Sequence, residues 1–106
     1  MTRLQQLQQF LSEDPTDPFN RYALAIEYQK TDVQKSIELF RQLITENPKY
    51  IPTYYHFGKL LQENGDLKTA QEVFEIGINY ALELNELKAL RELRAALLEL
   101  EDELSE

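Results

Sequence analysis

Apolar residues recur along the chain at helical spacing, and polar punctuation divides them into six stretches. Leu4, Leu7, Phe10 and Leu11 form one stripe, opened by Thr2 with Gln5 placed to reach back to it, and the segment should stop before Pro15. Asp17 caps a second helix with Pro18 at its first position, where a missing N–H costs nothing. That helix should run to about Lys30, and Tyr22, Ala23, Leu24, Ala25, Ile26 and Tyr28 make it apolar around most of its circumference. Thr31 with Gln34 has capping-box spacing and predicts a third helix with the stripe Val33, Ile37, Phe40, Leu43 and Ile44, ended by Asn47-Pro48. A fourth, about Pro52 to Glu63, ends at Asn64-Gly65, where Gly65 takes the left-handed conformation without a Cβ penalty. Asp66 caps a fifth, about Leu67 to Glu83, and a weaker break follows around Asn85. The sixth, from about Glu86, carries Leu90, Leu93, Leu97, Leu100 and Leu104 as a narrow seam.

Composition fits this reading. Three glycines and four prolines in 106 residues leave few interruptions, so the class is all-α. The length suits a single domain with one modest core. No cysteine is present, which removes disulfides, thiolate catalysis and cysteine zinc sites. The longest apolar runs, Tyr22 to Ile26 and Ile78 to Leu82, fall far short of a membrane span, and the first residues have no apolar signal region. A cytoplasmic location is the expectation. The net charge of −8 argues against nucleic acid or an anionic membrane as partner, since both need clustered Lys and Arg.

The helices also repeat. Tyr54, Phe57, Gly58, Leu61, Ala70 and Phe74 follow Pro48, and, offset by 33 or 34 residues, Arg21, Leu24, Ala25, Tyr28, Ser36 and Phe40 follow Pro15. The one-residue difference lies in the inner turn, Gln29-Lys30-Thr31 in one copy and Gln62-Glu63-Asn64-Gly65 in the other. These residues resemble the tetratricopeptide repeat pattern W-x₂-L-G-x₂-Y, A-x₃-F and P over 34 residues. The second copy is the better match: Gly58, Ala70 and Phe74 agree outright, Tyr54, Phe57 and Leu61 are substitutes, Gly77 stands where a small Ala is usual, and Leu82 replaces the Pro. In the first copy Arg21 sits where the large aromatic belongs and Ser36 replaces the small apolar residue, while Pro48 keeps the terminal Pro.

The resemblance implies a short right-handed α-solenoid of antiparallel helix pairs, with residues 15–48 and 49–82 as repeats and 2–13 and 86–104 as capping helices. It implies close approach where Gly58 or Ala25 faces Ala70 or Ser36, with Phe40 and Phe74 filling the space between successive pairs. It also implies that first helices line a concave, protein-binding face, which projects Phe19, Tyr22, Ile26 and Gln29 from the first copy, Pro52, Tyr55, His56, Lys59 and Gln62 from the second, and Lys88, Arg91 and Leu98 from the closing helix. That face reads as aromatic with a basic side, suited to a peptide with apolar anchors and an acidic group. Chaperone-binding members clamp a C-terminal carboxylate with Lys and Asn; Tyr22, Ile26 and His56 stand at the corresponding inner places, so that role is disfavoured.

No catalytic, cofactor or metal constellation accompanies this pattern. His56 is the single histidine, read as a surface or groove residue exposed by its register, and Glu72 with Glu75, or Glu99 with Glu101 to Glu103, read as solvated faces. Acids concentrate at the end: residues 83 to 106 hold 8 against 3 bases, and their crowding at a helix C-terminus predicts fraying after about Leu100. The tail is a solubilising end or a dock for a basic partner. The reading is a non-enzymatic protein-interaction module; the alternative is self-association into a homodimer through Leu90, Leu93, Leu97, Leu100 and Leu104.

Overall fold

The computed structural model describes residues 1–106 as six helices: α1 (Arg3–Glu13), α2 (Pro18–Tyr28), α3 (Val33–Glu46), α4 (Pro52–Glu63), α5 (Leu67–Glu83) and α6 (Leu87–Leu104). They form two compact units, Met1–Tyr50 and Ile51–Glu106. Within the first, α2 packs on α3 and on α1; within the second, α5 packs on both α4 and α6, and α6 also touches α4.

The helix starts follow the side-chain oxygens. Thr2 accepts from the Gln5 N–H at 3.1 Å and its own N–H donates to the Gln5 Oε1 at 2.9 Å, completing a capping box. Asp17 accepts from Phe19 at 3.0 Å and Asp66 from Thr69 at 3.2 Å. The third helix departs from expectation: Asp32, not Thr31, is its cap and accepts from the Lys35 N–H at 3.1 Å. An aspartate one residue later places its carboxylate over the N3 N–H, so Thr31 is left in the turn. Two helix ends share one device. Gly65 has φ +86°, with Asp66 N–H donating to the Leu61 carbonyl and Gly65 N–H to Gln62; Asn85 has φ +56°, with Glu86 N–H donating to Ala81 and Asn85 N–H to Leu82. Asn85 thus does in the last turn what glycine does in the one before.

In unit 1, Leu24, Ala25, Ile37, Leu43 and Phe40 are buried, and the Ser36 hydroxyl donates to the Ala25 carbonyl at 2.7 Å. Ser36 therefore does face Ala25, with a hydrogen bond where an apolar contact is usual. Tyr28 is half-buried, its hydroxyl accepting from Gln8 of α1 at 2.9 Å. Arg21 reaches α3 through an Nη1 to Glu46 contact of 2.6 Å, so an ion pair stands where the pattern has an aromatic.

Unit 2 joins its helices by steric fit. A Cβ at Gly58 would lie 2.2 Å from the Phe74 ring, so Phe74 also faces Gly58, a contact not anticipated beside the expected Gly58 to Ala70 approach: the absent Cβ makes room for the ring within the α4–α5 pair. Phe57, Leu61 and Ala70 are buried around it. A Cβ at Gly77 would lie 2.5 Å from the Tyr54 Cβ and 3.1 Å from Leu93 Cδ1, so Gly77 seats α4 on one side and α6 on the other. The Tyr54 and Tyr80 rings lie 6.1 Å apart, and burial first, then Tyr80, pushes the Tyr54 phenol up to about 12.

Helix α6 is continuous to Leu104, past the point at Leu100 where fraying was expected, with Ser105 N–H donating to Glu101. The cause is burial: Leu90, Leu93 and Leu100 are inside unit 2 and Leu97 and Leu104 are half-buried. Most of that seam therefore serves α6's own packing within unit 2. What α6 leaves outside is Leu87 and Leu98, the latter 66% exposed.

Candidate partner-binding faces

On α2, Phe19, Tyr22, Ile26 and Gln29 fall three or four residues apart and share one stripe. Phe19 is 52% exposed, and Tyr22, Ile26 and Gln29 are half-buried. Tyr22 sits between two rings, 6.3 Å from Phe19 in a tilted arrangement and 5.6 Å edge-on from Tyr50. Burial raises the Tyr22 phenol; burial, with Tyr22 and Asp17 adding, raises that of Tyr50, so both stay neutral in ordinary conditions. Tyr50 belongs to an open hollow of about 430 Å³ that it lines with Pro18, Asn47, Pro48 and Lys49. Sequence reasoning missed Tyr50. The signal was its place two residues after Pro48, since Asn47-Pro48 turns the chain from α3 and the Tyr50 N–H closes that turn on the Asn47 carbonyl at 3.0 Å.

In unit 2, α4 carries Tyr55, His56, Lys59 and Gln62, all half-buried, with Pro52 exposed. The Tyr55 and His56 rings meet edge-on at 5.6 Å. His56 is therefore less exposed than its register suggested, and burial lowers its pKa against the opposing pull of Glu92 on α6. Lys59 Nζ lies 3.9 Å from Glu99, and the Gln62 amide donates to Glu103. Between α4 and α6, Tyr55, Lys59, Glu92, Ala95, Ala96 and Glu99 line a notch of about 210 Å³.

These pairings revise the expected basic side. Lys59 is answered by Glu99, and Glu92 adds a carboxylate with no cation of its own, so this part of the surface is acidic. Lys88 and Arg91 are exposed on α6, but Arg91 Nε turns back to the Leu87 carbonyl at 3.4 Å and neither lines the notch. The structure thus groups Phe19, Tyr22 and Tyr50 in one unit and Tyr55, His56, Lys59 and Gln62 with α6 carboxylates in the other.

No helix is long and apolar enough to cross a membrane. No curated protein matches the chain. The tetratricopeptide repeat profile matches residues 39–72, a window that runs from late α3 through α4 into α5. Among solved structures, the chain is similar to a tetratricopeptide repeat domain protein from Salinibacter ruber, with 41% identity over 84% of this chain and 91% of that one and a TM-score of 0.80. A protein from Bordetella parapertussis shares the fold at 22% identity, with 97% and 90% of the two chains covered and a TM-score of 0.82. The all-α repeat architecture, the phased Gly58, Ala70 and Phe74, and the likeness to the Salinibacter protein lead to one statement: the chain belongs to the tetratricopeptide repeat family.

Proposed function

We propose that the chain is a non-enzymatic interaction module that binds a peptide segment of a partner protein through the first-helix faces of its repeats, 15–48 and 49–82. The observation that carries this reading is the Phe19, Tyr22 and Tyr50 group: three adjacent rings, one of them half in solvent, beside an open hollow. Aromatic side chains supply large contact area at few rotatable bonds, which is what peptide anchoring requires. Tyr55 offers a second anchor in the other unit. Family membership supports the general role, since repeats of this kind commonly bind proteins.

The test is partner retention by the full chain. Tyr22→Ala and Tyr55→Ala should each weaken retention of a captured partner while circular dichroism and the unfolding midpoint show the helices intact. Wild-type retention by both variants would remove these faces from consideration.

A further inference from the structure

The notch between α4 and α6 differs in chemistry from the aromatic face of unit 1. Its floor includes Ala96, 5% exposed, with Ala95 beside it; one wall is Tyr55; Glu92 and Glu99 stand seven residues apart on α6, roughly 10 Å along the helix. At about 210 Å³ it is smaller than the ~300–1,000 Å³ of a small-molecule site, and suits one long side chain. Its charge is negative. Lys59 meets Glu99 at the long distance of 3.9 Å, Glu92 has no cation against it, and unit 2 as a whole holds 12 acidic side chains to 5 basic ones. The adjacent His56 has its pKa lowered by burial, with Glu92 pulling the other way.

We infer that this notch receives the cationic side chain of a basic segment in the partner, with the guanidinium or ammonium stacked on Tyr55 and paired with Glu92. The inference rests on the peptide-binding reading above and reverses the acidic partner that the residue pattern suggested. The occupant follows from complementarity: an aromatic wall beside the exposed carboxylates of Glu92 and Glu99 attracts a cation. Glu99 and Lys59 can then exchange partners, Glu99 turning to a second cation on the same segment.

The experiment uses the full ¹⁵N-labelled chain titrated with a nine-residue peptide of alternating Ala and Arg, and with its Ala and Glu counterpart. The Arg peptide should shift the amides of Tyr55, Glu92, Ala95 and Ala96 first, and Glu92→Gln should weaken its binding about three- to fivefold, whereas Glu75→Gln on α5 should not. Shifts spread evenly over acidic residues, equal loss in both variants, or binding of the Glu peptide would overturn the inference. Failure here is separable from failure of the module reading: if a natural partner is lost on Tyr22→Ala and Tyr55→Ala but fully kept by Glu92→Gln, the module stands and the cationic notch falls.

Discussion

The two units meet the same packing requirement by different chemistry at corresponding places. In unit 1 the small position of the second helix is Ser36, hydrogen-bonded to Ala25, and the large position of the first is Arg21, paired with Glu46. In unit 2 those places hold Ala70 and Tyr54, and contact comes from ring against bare backbone, Phe74 over Gly58 and Tyr54 against Gly77. The corresponding place to Gly77 in unit 1 is Leu43, fully buried. Where the first helix carries an aromatic, the second recedes to glycine; where it carries an arginine that turns aside to a carboxylate, the second can be large. The repeat motif thus specifies a sum of volumes more than a list of residues.

The functional faces differ in the same way. Unit 1 is near electrical balance, with 7 acids and 6 bases, and presents a cluster of tilted and edge-on rings; unit 2 is strongly acidic and presents a notch edged with carboxylates.

The steepest test of the packing comparison removes the large partner. Phe74→Ala should destabilise the chain by about 3–5 kcal/mol, because a fully buried ring is lost and Gly58 has no side chain to fill the void. Urea unfolding monitored at 222 nm measures it, and a loss below about 1 kcal/mol would mean that the ring is not the wedge described.

Next comes overfilling. Gly77→Ala should cost about 1–3 kcal/mol and more than Gly58→Ala. The added methyl at Gly77 meets the Tyr54 Cβ, which is fixed to the backbone, whereas at Gly58 it meets a ring that can tilt. Equal costs, or a gain from better helix propensity at Gly77, would break the steric account.

In unit 1 the effect should be smaller. Ser36→Ala removes one buried hydrogen bond and should cost about 1 kcal/mol, since the Ala25 carbonyl keeps its bond from the Gln29 N–H.

The smallest effect is a pH dependence. His56 has its pKa lowered in the folded chain, so the unfolded chain takes up the proton first as pH falls below about 6.5. Stability from this group is whole above that pH and declines below it. The difference in unfolding midpoint between wild type and His56→Gln, followed from pH 7.5 to 5, should therefore shift in favour of His56→Gln on acidification; a shift in the other direction would contradict the burial of His56.

Much of the fold was legible because its signals are local. Thr2, Asp17 and Asp66 cap where the sequence places caps, and Gly65 turns left-handed as its position before Asp66 required. The misplacement of Thr31 for Asp32 came from two adjacent side chains that can both cap; only the backbone at the turn decides between them. The Phe74 to Gly58 contact was hidden for another reason. Periodicity gives the face of a helix and not which residue opposite fills a gap, so the reach of the Phe74 ring to Gly58 could not be read from spacing. The site was less legible still. Register selected Tyr22, Tyr55 and Lys59, but Tyr50 lies outside any helix, and the answering of Lys59 by Glu99 and of Gln62 by Glu103 depends on how α6 lies along α4. The leucine seam was ambiguous because a long apolar stripe looks the same whether it is covered by its own unit or by another chain.

The claim that these first-helix faces hold a partner is tested most directly by calorimetric titration of a captured partner segment into wild type, Tyr22→Ala and Tyr55→Ala. At matched folded fractions, each variant should bind about tenfold more weakly, the scale of losing one aromatic anchor. Affinities equal to wild type in both would contradict it.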